Sequence, residues 1–70
     1  MSISYKKLWI LLIERKMTKS ELRKQAHLSP GVFTRLNKDE EVSLGALKNI
    51  CAILQCDIGD ICSFIDEDEA

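Results

Sequence analysis

Glycine and proline are scarce in this 70-residue chain, three and one respectively, so nothing in it has the composition of a flexible linker or a fibrous repeat. Histidine occurs once. There is no Ser-His-Asp set that spacing would bring together, no glycine loop for phosphates, and no carboxylate cluster outside one loop and the C-terminal run. An enzyme is therefore not expected, nor a cofactor. The three cysteines, Cys51, Cys56 and Cys62, are odd in number and show neither C-x-x-C spacing nor a partnering histidine pair. That disfavours a disulfide framework and a zinc site and leaves reduced thiols, mostly in the core. Long apolar runs are missing too. The longest, Leu8–Ile13, is flanked by Lys and Glu and falls well short of the roughly 18 residues a bilayer requires. A cytoplasmic protein without a membrane segment is expected.

What is present is a chain 46% hydrophobic and 30% charged, the balance of a helix-rich globular unit rather than a disordered one. A chain this short buries only about 60% of its unfolded surface, so residues 1–70 are expected to form one domain around one core. The net charge of −1 conceals a strong asymmetry. Residues 1–38 carry nine Lys and Arg against two Glu, a balance of +7, whereas residues 39–70 carry one Lys against nine Asp and Glu, a balance of −8. Such a split provides a basic face for a polyanion and an acidic end that stays away from it; solvation of opposite ends is the plainer alternative.

Apolar spacing places the elements. Ser4 is positioned to cap a first helix over Tyr5–Lys16, with Tyr5, Leu8, Trp9, Leu11, Leu12 and Ile13 spread over a broad inner face and Ile10 outside it. Thr18 with Glu21 fits a capping box opening a second helix, Lys19 to about Ala26, whose inward residues are Leu22 and Ala26. His27, Leu28 and Ser29 make a turn, and Ser29-Pro30 is a strong start for a third helix running to about Lys38. Ser43 caps a fourth, Leu44–Leu54, with an apolar stripe of Leu44, Leu47, Ile50, Cys51 and Leu54. Asp57 and Asp60 can open a short fifth helix carrying Ile58, Ile61, Cys62 and Ile65, before a frayed acidic tail over 66–70. Ser2–Tyr5 is the longest stretch with a strand pattern.

The stretch Met17–Lys38 is thus two short helices joined by a tight turn, the layout of a helix-turn-helix DNA reader. In the third helix Val32, Phe33 and Leu36 project to one side and Pro30, Gly31, Thr34, Arg35 and Lys38 to the other. A helix about 10–12 Å wide fits the major groove of B-DNA. There Arg35 can address guanine N7 and O6 with two donors, Thr34 and Ser29 can bond a base or a phosphate, and Pro30 can pack on a thymine methyl. Lys19, at the start of the second helix, is placed for a backbone phosphate, with Lys38 and Lys24 as further candidates. Gly31 reads either as a close backbone approach or as a tolerated glycine.

With those residues identified, the span from Thr18 to Asn37, continuing to the Leu44 helix, resembles the helix-turn-helix domain of phage-repressor and Cro-type (Cro/C1, XRE-like) regulators. The resemblance rests on Thr18 as cap, Leu22 and Ala26 inside the second helix, Leu28-Ser29 after the turn, and Phe33 and Leu36 on the buried side of the third. Ile50-Cys51, Leu54-Gln55-Cys56 and Gly59-Asp60-Ile61 further resemble a compact bacterial subgroup that is little more than this domain. The resemblance covers about residues 4–65 and implies an all-α, lambda-repressor-like single domain of five helices. Three positions depart from the family pattern. Lys19 stands where Gln is frequent, Arg23 where a small residue is common, and His27 where Gly is usual. Pro30 and Gly31 also replace side chains that in relatives often read bases, so modest sequence specificity is expected.

The expected function is a sequence-specific, double-stranded-DNA-binding transcriptional regulator, most simply a repressor, acting as a homodimer, with no small-molecule ligand evident. The sites are Lys19, Ser29, Pro30, Gly31, Thr34, Arg35 and Lys38; Ile3, Ile10, Phe64 and Ile65 are the expected dimer contacts. The alternative is a protein-interaction module on the same scaffold, antirepressor or antitoxin-like, with little specific DNA binding.

Overall fold

Leucines four residues apart anchor the first helix. In the computed structural model, which describes residues 1–66, Leu8 and Leu12 lie on the buried side of α1 (Lys6–Glu14). Ile13 follows Leu12 by about 100° around the axis and so is 76% exposed, not part of the inner face. The helix also starts one residue later than expected. Tyr5 takes the N-cap position and has no side-chain cap bond. The Ser4 hydroxyl instead accepts from the Lys6 amide at 3.3 Å, because Ser4 belongs to a strand.

The other helices begin where their caps predict. Thr18 and Glu21 form the complete capping box of α2 (Lys19–Gln25). Ser29 caps α3 (Pro30–Asn37), with Pro30 at the first helical position, and Ser43 caps α4 (Leu44–Leu54). Leu22 from α2 and Ala26 at its C-cap, Leu28 from the turn, Leu36 from α3, and Leu47, Ile50 and Leu54 from α4 close one core with Tyr5, Leu8, Leu12 and Ile61. Leu44 is the exception in the α4 stripe. As the first residue of that helix it lies past the edge of the core and is 72% exposed.

All four helices end in the same way, and without glycine. Lys16, His27, Asp39 and Gln55 adopt left-handed backbone with φ of 55°, 54°, 55° and 51°. In each case the next amide bonds back to a carbonyl five residues earlier: Met17 to Leu12, Leu28 to Arg23, Glu40 to Arg35 and Cys56 to Cys51, at 2.9–3.1 Å. This arrangement satisfies carbonyls that the helix end leaves open and reverses the chain sharply. Two basic side chains, Lys7 of α1 and Arg15 at its C-cap, then clasp the end of α4 and the turn that follows. Lys7 Nζ donates to the Gly59 carbonyl at 3.0 Å, and the Arg15 guanidinium donates to the Leu54 carbonyl at the end of α4.

The expected fifth helix does not form. Asp57 and Asp60 do make their capping box, but the turn they open is a single 3-10 turn, Ile58–Asp60. Ile61 then plugs the core and the chain becomes extended. Residues Ser63–Ile65 form β2, antiparallel to β1 (Ser2–Ser4), in the register Ser2 to Ile65, Ile3 to Phe64 and Ser4 to Ser63. A helix of so few residues is marginal alone, whereas β1 offers this β-branched and aromatic segment a ready edge. The fold is thus four α-helices, a 3-10 turn and a two-stranded sheet, not five helices and not strictly all-α. No helix among the described residues is long and apolar enough to cross a membrane, and none of their His, Cys, Asp and Glu side chains cluster as a metal site would need. Most of the acidic tail, 67–70, lies outside the described residues.

Candidate nucleic-acid interface

Both helices of the helix-turn-helix are held at their starts by side chains at predicted positions. Thr18 Oγ1 accepts from the Glu21 amide at 3.1 Å, and Glu21 Oε1 accepts from the Thr18 amide at 3.1 Å. After the left-handed His27, Leu28 is buried between the helices, and Ser29 Oγ accepts from the Val32 amide at 3.2 Å. A short helix capped at its start and sealed by Leu28 at its entry is a rigid platform.

On that platform Val32 and Phe33 are half-buried and Leu36 is buried, while Ser29, Pro30, Gly31, Thr34, Arg35 and Lys38 are exposed. The structure therefore brings six of the seven expected site residues to one element and turns their side outward. Their chemistry is unequal. The Thr34 hydroxyl donates to the Pro30 carbonyl at 2.8 Å, which commits its proton and leaves its acceptor pairs and methyl facing out. Ser29 Oγ is engaged as an acceptor but keeps its proton. Nothing stands within 4 Å of where a Gly31 Cβ would be, so no protein atom requires glycine there. Arg35 and Lys38 make no side-chain hydrogen bond among the described residues.

Lys19 departs from the simple expectation of a free phosphate contact. Its ammonium donates to Asn37 Oδ1 at 2.7 Å and sits 4.1 Å from the centre of the Trp9 ring. Asn37 Nδ2 in turn donates to the Phe33 carbonyl at 2.9 Å. Lys19 thus links α1, α2 and the end of α3, combining a charge-assisted bond with a cation–π contact. The ammonium is exposed and retains further donors, so this link does not bar a phosphate. Neither Trp9 nor Asn37 was singled out from sequence, because their roles depend on three helices meeting.

Arg23, where the family commonly has a small residue, is exposed and runs outward with its guanidinium 5.8 Å from the Phe33 ring centre, as a long charged side chain at a helix crossing must. With Ser20, Lys24 and His27 it lines a cleft of about 520 Å³. This basic flank of α2 was not recognised beyond Lys24; the signal lay in the spacing of Ser20, Arg23, Lys24 and His27 at 3, 4 and 7 residues along one helix side.

The acidic loop after α3 has a structural duty. Asp39 Oδ1 accepts from the Tyr5 amide at 3.0 Å, and the Tyr5 hydroxyl donates to the Glu40 carbonyl at 2.8 Å. These bonds pin the exit of α3 to the start of α1.

Comparison with known proteins agrees with this geometry. A family model of the Cro/C1-type HTH DNA-binding domain matches residues 7–67, and the chain belongs to that family. A solved structure similar to it is the crystal structure of the transcriptional regulator VanUg, with a TM-score of 0.92 and 48% sequence identity, the match covering 94% of this chain and 88% of that one. The comparison with curated proteins gives no significant match.

Proposed function

We propose that the protein is a transcriptional regulator that binds double-stranded DNA as a homodimer, with α3 in the major groove, and represses by occluding a promoter. The observation that carries this reading is the exposed side of α3. In a Cro/C1-type frame it presents only small, polar or basic residues, on a helix fixed at both ends. Arg35 is assigned to base edges, Thr34 and Pro30 to apolar and acceptor contacts beside it, and Ser29, Lys19 and Lys38 to phosphates. Gly31 lets the helix backbone approach the groove.

With so few base-reading groups, most affinity comes from phosphate contacts, and two-fold pairing of half-sites multiplies the little discrimination each half has. An electrophoretic mobility shift against genomic fragments tests the reading. Binding is expected to fall steeply with salt, and Arg35→Ala to weaken the preferred site by about 1–3 kcal/mol. Absence of salt-sensitive binding, or binding untouched by Arg35→Ala, would overturn it.

A second reading, a protein-interaction module on the same scaffold, is favoured by the bareness of Pro30-Gly31 and by the prior engagement of Lys19 with Asn37. It expects a stoichiometric protein partner and no DNA affinity above that of any basic protein.

A further inference from the structure

The three cysteines take no part in the proposed DNA contact, and the end of α4 brings two of them together. Gln55 takes left-handed backbone there, and the Cys56 amide bonds back to the Cys51 carbonyl at 3.1 Å. A helix end closed in this way sets the side chain after the left-handed residue against the one five positions earlier, and the Cys51 and Cys56 thiols do share a hydrogen bond. The covalent geometry on either side of the amide–carbonyl bond keeps the two Cα atoms within roughly 7 Å, the reach of a disulfide. Both residues are half-buried, and both are free thiols. Their surroundings differ. Cys56 lines an open cleft of about 460 Å³ with Lys7 and Arg15. Those two cations are fixed on either side of it along the chain, the Arg15 guanidinium on the Leu54 carbonyl and Lys7 Nζ on the Gly59 carbonyl at 3.0 Å. Of the carboxylates at the cleft, Asp60 is engaged by the Asp57 amide at 2.9 Å, and Glu14 is exposed. Cys51 packs against the core, where burial and the Cys56 thiol keep it protonated.

We infer that Cys56 is a site of reversible oxidation by a hydroperoxide, with Cys51 as the partner that closes it into a disulfide. A thiol in a partly exposed site beside fixed cations is the one that reacts as thiolate, and a second thiol held against it resolves the product. Cys56 loses its proton and attacks one peroxide oxygen; the S–O bond forms as the O–O bond breaks, and the departing oxygen takes the proton, leaving as water when the oxidant is hydrogen peroxide. Cys56 is then a sulfenic acid. The Cys51 sulfur attacks it, the S–S bond forms as the S–O bond breaks, and the hydroxyl leaves with the Cys51 proton as a second water. Two thiols thereby pass two electrons to one peroxide. Cys62 is set apart, its thiol donating to the Ile58 carbonyl at 3.4 Å. The site uses no residue of α3, so the inference is independent of the DNA reading.

The reduced full chain, treated with a small excess of hydrogen peroxide, is expected to lose two of its three thiols, to remain a single chain on non-reducing electrophoresis, and to recover both thiols with dithiothreitol. The folded chain should react about tenfold or more faster than the chain in denaturant, because only the fold holds the cations and the second thiol beside Cys56. Cys62→Ala is expected to lose both its remaining thiols. Cys51→Ala should stop at the sulfenic acid, which a cyclic 1,3-dione traps on Cys56, whereas Cys56→Ala should keep both of its thiols. Circular dichroism checks that each variant keeps its helices, and serine replaces alanine where it does not. Three thiols retained by the wild type, equal rates in the folded and denatured chain, a disulfide between chains, or thiols lost from Cys56→Ala would each overturn the inference.

Discussion

Lys16, His27, Asp39 and Gln55 hold the conformation for which glycine is usually selected, and each carries a side chain there. A left-handed residue other than glycine costs about 1–2 kcal/mol, so these four positions store strain at the joints between helices. Asp39 has a reason to remain, as its carboxylate holds the Tyr5 amide. Gln55 has no hydrogen-bonded side chain among the described residues. Gln55→Gly is therefore expected to raise stability by about 0.5–1 kcal/mol in chemical denaturation, and a loss would show that its side chain does more than turn the chain. The positive φ at His27 fits a turn position where the family usually has Gly, the residue that takes this backbone without cost. Lys16 and Gln55 carry no left-handed signal in their residue type, and Asp39, whose type tolerates that region, stands among acidic neighbours that mark a loop rather than a helix end, so only the returning amides identify the motif.

Caps made the helices legible as elements. Thr18, Ser29 and Ser43 each precede a helix by one residue and each accepts the amide three residues on, so a local rule sufficed for α2, α3 and α4. It failed at both termini of the chain for one shared reason. Ser4 and the segment after Asp60 each have a local helical option, and each is drawn instead into β1–β2 pairing across 59 or more residues of sequence, as the register of Ser4 with Ser63 shows. The clasp between α1 and the exit of α3 is likewise non-local. Asp39→Ala removes the acceptor from the part-buried Tyr5 amide and is expected to cost about 1–3 kcal/mol. Because the same loop closes α3, its effect on DNA affinity should exceed that of Glu41→Ala, a comparison that titration of matched variants would make. Equal stability of Asp39→Ala and wild type would remove the clasp from the account.

For the whole molecule, the titrating groups packed nearest the core all lean one way. Burial, then the neighbouring Cys56, push the Cys51 thiol up from 9.0 to about 11. Burial likewise raises Cys62 from 9.0, against a lowering by Lys7, and raises Tyr5 from 10.0. Each group is held neutral in the folded chain at a pH where the unfolded chain would ionise it. Their stabilising effect is complete below 9.0 and is lost as pH rises, for Cys51 between 9.0 and about 11. Thermal unfolding is thus expected to shift to lower temperature across that window, and Cys51→Ser or Cys51→Ala to flatten the decline. An unchanged midpoint through the window would refute this.

The sequence by itself determined the starts of α2, α3 and α4, the inward and outward sides of α3, the turn at His27 and the single core, because those depend on residues three or four apart whose chemistry is local. It also determined the family, through residues spread over most of the chain. Only the tertiary structure decided that the last segment is a strand, that Ile13 and Leu44 leave the core, and that Lys19 is tied to Asn37 and Trp9. Those outcomes depend on which distant segments meet, and no spacing within one helix encodes that.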